Sequence, residues 1–475
     1  MSRTRMGAAG ALLALPILAM ALGACAPIGE SPAAAADTAV TASDLWGAAA
    51  LHEIDLRIAD AELEAALDAY LADGEKIWVE AAVTIDGVSF DRVGLKLKGN
   101  SSLREITADT DPATIPWRIR LDKFVEGQSL DGETDLVVRG NSSSTSLNEA
   151  VALTLLDAAG LASQSAMSAA FSVNGGQAQL RLIIQNPDEA WTASRLGEGT
   201  LLYKSEAEGS WDYVGDDPAD YAASFDQEAG EEDLAPLIEF LEFVNESDDE
   251  TFAAELDEHL DVEAFARYLA YQDLVENMDD IDGPGNNSYL AYDPTTARMT
   301  VVNWDLNLAF GQTPGAGGQG MGFPGGQGMV PTEGQGMTPP DGQGPGLPDG
   351  QRPDGMSQPR GAQIPGGFPT DFPTALPEGF SADGRGAGFP GAAAGGPGGI
   401  SNGNVLAERF RADASFAALI DQAAADLQAE LVDSGLAADV LDAWSAMLVR
   451  DAGALVDAET VGLEADSIAR ILGIR

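Results

Sequence analysis

From residue 312 to residue 400 the chain abandons every hydrophobic period, so its fold has to be assembled from the pieces on either side. Gly, Pro and Gln dominate the stretch. GQGM recurs at 318, 326 and 334, with GQGP at 342 and GQRP at 350, an eight-residue repeat. Such a segment cannot bury enough apolar surface to offset the entropy of ordering it, and the sequence predicts a disordered insertion. Its methionines, Met321, Met329 and Met337, are soft metal ligands in principle, but a flexible spacer accounts for the composition more simply.

The flanks carry the periodic signals. LHEIDLRI alternates as a strand, DAELEAALDAYLAD follows as a helix, and WVEAAVTI and VSFDRVGLKLK flank an Asp86-Gly87 hairpin turn. IPWRIRLDKF and TDLVVRG read as further strands and SLNEAVALTLLDAAGL as an amphipathic helix. A second hairpin turns at Asn174-Gly175. From 232 to 276 the period becomes helical, then NNSYLAYD and RMTVVNWD form a strand pair about Asp293-Pro294. Strands first and helices later make the fold class α+β rather than a doubly wound sheet. The sequence divides into 1–24, 25–48, 49–311, the insertion 312–400, and 401–475, read as helices completing the domain begun at 49.

Residues 1–24 combine a basic start (MSRTRMG) with an apolar run, AAGALLALPILAMAL, too short to span a membrane comfortably. LGAC at 22–25 is similar to a bacterial lipobox, in which Cys25 becomes the lipidated N-terminus. APIGESPAAAADTAVTAS then serves as a tether. The sequence therefore predicts an extracytoplasmic protein, lipid-anchored to the bacterial cell membrane. Cys25 is the only cysteine, which excludes an internal disulfide framework. With 76 acidic against 25 basic residues and a net charge of -51, the surface repels nucleic acid and suits divalent cations or a basic partner.

The chemistry concentrates in ENMDDIDGPGNNSYLAYDPTTARMTVVNWDLNLAFG, residues 276–311. A solvated loop, a calcium site and a phosphotransferase centre all fit its acids and asparagines. An EF-hand does not: with Gly283 at loop position six, Met278 and Tyr289 would be the terminal ligands, and neither can bind calcium. Phosphoryl transfer needs a carboxylate near the attacking hydroxyl, then an amide and a second carboxylate for the metal. Asp279, Asn287 and Asp305 occur in that order, and Lys98, Arg118 and Lys204 lie upstream as cations for phosphate. GLKLKGNSS offers a loop, with Gly99 and Ser101, that could cradle phosphate, and RGNSSS at 139–144 repeats its wording. His52 and His259 are too few for a zinc site or a His-based triad, and Trp304 reads as core packing that fixes Asp305.

GLKLKGNSSL, PWRIRLDKF, SLNEAVALTLLDAAGLAS, SVNGG, GTLLYK, NMDDIDGPGNNSYLAYD and NWDLNLAFG, in this order, resemble the CotH family of secreted atypical protein kinases related to spore coat protein H. The resemblance covers about 50–311 and 401–460. It implies an atypical protein-kinase-like fold with an antiparallel-sheet N-terminal part and a mainly helical C-terminal part. It further implies transfer of the γ-phosphoryl of ATP, with Mg²⁺ or Mn²⁺, to Ser/Thr hydroxyls of secreted or surface proteins. By that likeness Asp279 is the catalytic aspartate, Asn287 (with Asn286 as the adjacent alternative) and Asp305 are the metal ligands, and Lys98, Arg118 and Lys204 face the nucleotide. The chain departs from the family at Arg118, where many relatives have lysine, and at Gln185, which stands where the family carries a glutamate resembling the partner of a kinase lysine. Gln185 adds no charge there, which keeps a rival reading open: a non-catalytic surface binding or scaffold protein with the same fold.

Overall fold

The structure is a computed structural model that describes residues 45–207, 209–281, 283, 286–312 and 404–474. The leader, Cys25 and most of the tether, and all of the insertion except residue 312, lie outside the described residues. No helix among the described residues is long and apolar enough to cross a membrane.

Strand β1 (His52–Ile58) alternates buried and exposed side chains, as a strand with one face on a core must. Helix α1 (Asp60–Asp73) follows, then the hairpin of β2 (Val79–Ile85) and β3 (Val88–Leu97). Its turn has φ 46° at Asp86 and 83° at Gly87, the two positive values a two-residue hairpin with right-handed strand twist requires. β4 (Trp117–Arg120), β5 (Asp135–Val138), helix α2 (Leu147–Ala158), β6 (Ala166–Val173) and β7 (Gln179–Gln185) complete the first half.

These seven strands close into a barrel in the order β1-β2-β3-β4-β5-β7-β6. The expected antiparallel sheet is therefore corrected in one respect. β6 returns beside β1 in parallel, Ile54 opposite Phe171, and that pairing removes both sheet edges. Leu56, Val83, Leu95, Trp117, Leu136 and Phe171 fill the interior. β5 and β7 are apolar on both faces, Val138 and Ile183 turning inward while Val137 and Ile184 turn out toward a second core.

That second core is built by α2, α3 (Glu189–Leu196), β8 (Leu201–Ser205), β9 (Phe225–Ala229), α4 (Ala235–Glu246), α5 (Asp249–His259), α6 (Val262–Leu274), β10 (Ser288–Asp293) and β11 (Arg298–Asn303). The four strands form a separate sheet ordered β11-β10-β8-β9. Helices α7 (Val405–Ala412), α8 (Ala414–Leu427), α9 (Leu436–Asp451) and α10 (Ala458–Leu472) follow the insertion and enter the same core. Phe410 of α7 packs edge-on against Phe265 of α6 at 4.9 Å, and Trp444 of α9 donates to Thr154 of α2 at 3.1 Å. The chain is thus a mixed α and β protein in which a barrel and a four-stranded sheet are joined through α2.

Candidate functional site

Three strand ends of the small sheet meet at one edge. Lys204 on β8 lies opposite Tyr289 on β10, and Ser288 lies opposite Asn303 on β11, so Lys204, Asn287 and Asp305 issue from neighbouring positions. Trp304 is buried there and packs edge-on against Tyr289 at 5.6 Å. Asp305 takes φ 63°, a conformation a non-glycine residue adopts at a cost of about 1 kcal/mol or more. The turn aims its carboxylate back at the barrel.

The barrel supplies the cations that meet it. Lys98, one residue past β3, places its ammonium 5.1 Å from the Trp304 ring centre, and Arg139, one residue past β5, places its guanidinium 5.8 Å from the same centre. Arg139 is buried and bonds two carboxylates at once: Glu149, in the first turn of α2, at 2.9 Å, and Asp305. Burial opposes the charge on Arg139, but Asp305 and Glu149 outweigh it and hold the guanidinium more basic than usual. Burial pushes Glu149 up; Arg139 opposes that shift, and the charge of Asp305 adds to it. Lys98 has no such partner among the described residues. Burial, reinforced by the charge of Lys204, brings its ammonium down to about 7.

Asp279 is positioned by a different route. Gln272 of α6 donates to Asn303 Oδ1 at 2.7 Å and accepts from Asn277 Nδ2 at 2.9 Å, and the Asp279 amide approaches Asn277 Oδ1 at 3.4 Å. A chain of buried amides thus ties the Asp279 loop to β11 close to Asp305. Asn287 closes it by donating Nδ2 to both the backbone oxygen and Oδ2 of Asp279. Its amide oxygen is left as the atom that can meet a cation. Asn286 is committed elsewhere: Oδ1 accepts from Trp211 and Nδ2 donates to Glu206 O. Of the two asparagines only Asn287 suits a ligand role.

The remaining sequence-predicted residues divide. Lys204 sits in the field of Lys98 and pairs with Glu206 at 2.5 Å. Arg118 lies nearby, but its fork is held by the buried Asp135, Nε and Nη2 donating at 3.0 and 2.7 Å. Gly99 has φ 111°, and a Cβ there would run into Ser102 Oγ, so the loop needs glycine. Ser101, exposed, opens a short 3₁₀ turn beside it. The second copy of that wording is not an open cradle. Glu464 of α10 fills it, accepting from Ser143 Oγ at 3.0 Å, Ser144 N at 2.8 Å and Thr145 Oγ1. Gln185 bonds Glu133 at 2.7 Å and Ser165 N at 2.9 Å, and none of the site's cations.

Arg139 and Glu149 are the buried pair at the site that sequence reasoning missed. Ser146-Leu-Asn-Glu149 has the spelling of a capping box, which conceals Glu149 as a helix-start residue. Yet Ser146 forms no side-chain cap, and the glutamate turns to Arg139 instead. A basic residue directly after the DLVV strand was the available signal.

No cluster of three or more His, Cys, Asp or Glu side chains among the described residues could hold a metal unaided. Oxygen donors are nonetheless present. Asp305 uses Oδ1 for Arg139 and for the Asn307 amide, leaving Oδ2, and Asn287 presents Oδ1. A carboxylate and an amide oxygen suit a hard ion such as Mg²⁺, which completes its shell with water and substrate phosphate.

No curated protein matches the chain. Residues 95–337, just over half of it, match the family model described as CotH kinase protein. The match takes in Lys98, Arg139, Glu149, Asp279, Asn287 and Asp305 together, and the chain belongs to the CotH kinase protein family.

Proposed function

We propose that the chain is an atypical, kinase-like phosphotransferase that moves the γ-phosphoryl of ATP to Ser or Thr hydroxyls of secreted or surface proteins. The observation that carries this reading is Arg139, bonded at once to Glu149 and Asp305 beside Lys98. Protein kinases use a strand-borne cation paired to a helix-borne glutamate, next to a metal-binding aspartate. Glu149 supports this reading by offering a helix glutamate to a strand-borne cation, although Gln185 brings no charge. The rival, a non-catalytic surface binder with the same fold, predicts no transfer of phosphate.

Lys98 and Lys204 offer charge to the phosphates, and Arg118, already neutralised by Asp135, offers donors more than net charge. Asp279 accepts the proton of the attacking hydroxyl while that oxygen bonds to phosphorus and the anhydride bond breaks. Asn287 fixes the rotamer of Asp279. Asn287 and Asp305 would hold Mg²⁺ or Mn²⁺, which neutralises phosphate charge when bound. Placement outside the cytoplasm on a lipid anchor rests on the sequence around Cys25.

The test is incubation of the full chain with γ-labelled ATP, each divalent metal and a basic Ser-rich peptide. Label on the peptide with wild type and none with Asp279→Asn supports the reading. Absence of nucleotide binding under every metal overturns it.

A further inference from the structure

The chain has five lysines, Lys76, Lys96, Lys98, Lys123 and Lys204, and all five stand in one region of a protein with 76 acids. Outside the site already described, one indole is surrounded by three cations, of which only Arg118 was named there. Lys96, Lys123 and the Arg118 guanidinium lie 5.5, 5.0 and 5.6 Å from the Trp78 ring centre. Lys96 lies opposite Arg118 on the neighbouring strand β4 and, two residues from Lys98 on the same side of its own strand, stands roughly 7 Å from it. Lys76 donates to Gly99 O at 2.6 Å, closing the gap between the two groups.

This cluster is built rather than incidental. A Cβ on Gly94 would fall 2.6 Å from the Lys123 side chain and 3.0 Å from Trp78, so β3 omits it to let both pack. Among the described residues only Lys204 of the five pairs with a carboxylate, although acids outnumber bases threefold. Burial and mutual repulsion lower Lys76 and Lys96 as well as Lys98. Like charges held together with few direct ion pairs among them favour an anionic ligand. Of the acids that act on the cluster, Glu206, Asp226 and Glu228 belong to the small-sheet side, Glu228 standing 4.0 Å from Arg118, while Asp135 on β5 holds the Arg118 fork.

We propose that Lys96, Lys123 and Trp78 extend the phosphate site into a track for a linear phosphate chain longer than a nucleoside triphosphate. The inference rests on Lys98 and Lys204 facing phosphate. A nucleobase suits the outer end poorly, because cations already lie over the Trp78 ring. An acidic protein suits it poorly too, since the rest of the surface repels one, whereas a thin chain reaches the track alone. Inorganic polyphosphate can then serve as donor: the acceptor oxygen bonds to the terminal phosphorus, the last anhydride bond breaks, the chain leaves one unit shorter, and the proton passes to Asp279.

Calorimetric titration of the full chain with tripolyphosphate, Mg²⁺–ATP and long-chain polyphosphate tests this. After correction for the number of binding registers, long chains should bind at least about tenfold tighter than tripolyphosphate. The double variant Lys96→Gln/Lys123→Gln should lose that advantage while keeping tripolyphosphate and ATP affinity within about twofold. A chain-length advantage that is absent, or that survives the double variant, overturns the track and leaves the kinase reading standing. Failure of tripolyphosphate and ATP alike to bind overturns both.

Discussion

Asn287 holds Asp279 by two bonds from one amide nitrogen, each of 2.9 Å, to the backbone oxygen and to Oδ2. An asparagine that grips both the main chain and the carboxylate of the same residue fixes its rotamer as well as its place. The Asp279 carboxylate and the Asn287 amide oxygen are therefore set relative to each other before any ligand arrives.

This division of labour predicts different defects for two isosteric changes. Asp279→Asn removes the proton acceptor and should reduce transfer by about 10²-fold or more, leaving Mg²⁺–ATP binding nearly intact. Asp305→Asn removes a ligand charge and should weaken both. Nucleotide titration beside a phosphotransfer assay separates them; equal effects of the two variants on binding would sink the assignment.

Lys98 should make nucleotide binding pH-dependent. With its ammonium near 7 it is mostly charged below that pH and mostly neutral above it, so affinity for phosphate should fall as pH rises from 6 to 8. Binding near pH 8 should take up a proton, visible as a buffer-dependent enthalpy. The stability effect has the opposite sense. The folded pKa lies below the usual 10.5, so the unfolded chain binds more protons between the two values and folding is favoured progressively as pH rises through that window. Lys98→Met should flatten both profiles.

The sequence disclosed elements better than their closure. Hairpin turns at Asp86 and Asn174 and the alternation of β1 were legible because each is set by neighbours a few residues apart. The β1–β6 pairing was not, since parallel partners more than a hundred residues apart leave no local signal. In the site, order and residue type singled out Asp279, Asn287 and Asp305, and the structure hydrogen-bonds Asn287 to Asp279 and links the Asp279 loop to Asn303, two residues from Asp305. The repeated GNSS wording could not reveal that one copy is filled by Glu464, and Arg118 could not show that Asp135 holds it. A site built from strand ends of two sheets is specified by packing, and only its residue types are written locally.

Glu149→Ala leaves Arg139 buried with Asp305 alone. Removing one member of a buried ionic group typically costs about 3 kcal/mol, because the remaining charge keeps its desolvation penalty. Denaturant unfolding should show that loss, and the double variant Arg139→Met/Glu149→Leu should be less destabilised than the sum of the two single changes. Simple additivity would mean that the two side chains do not act as a unit.

Glu464 joins the polypeptide beyond the insertion to the loop that carries the site. Its carboxylate accepts from the 143–145 segment, and the neighbouring Ser142 and Asn148 both donate to Asn307 O at 2.6 Å, two residues from Asp305. One loop therefore grips α10 on one side and the Asp305 turn on the other. Glu464→Ala should cost about 2 kcal/mol, the scale of hydrogen bonds to a charged acceptor, since it strands three donors that water reaches only in part. Glu464→Gln keeps the shape and one acceptor oxygen but loses the charge, so it should fall between wild type and alanine. Because the same loop positions Asn148 and leads to Glu149, the alanine variant should also raise the concentration of Mg²⁺–ATP needed for half-maximal binding, measured well below its melting temperature. A variant that loses stability but binds nucleotide as wild type does would confine Glu464 to holding α10, with no influence on the site.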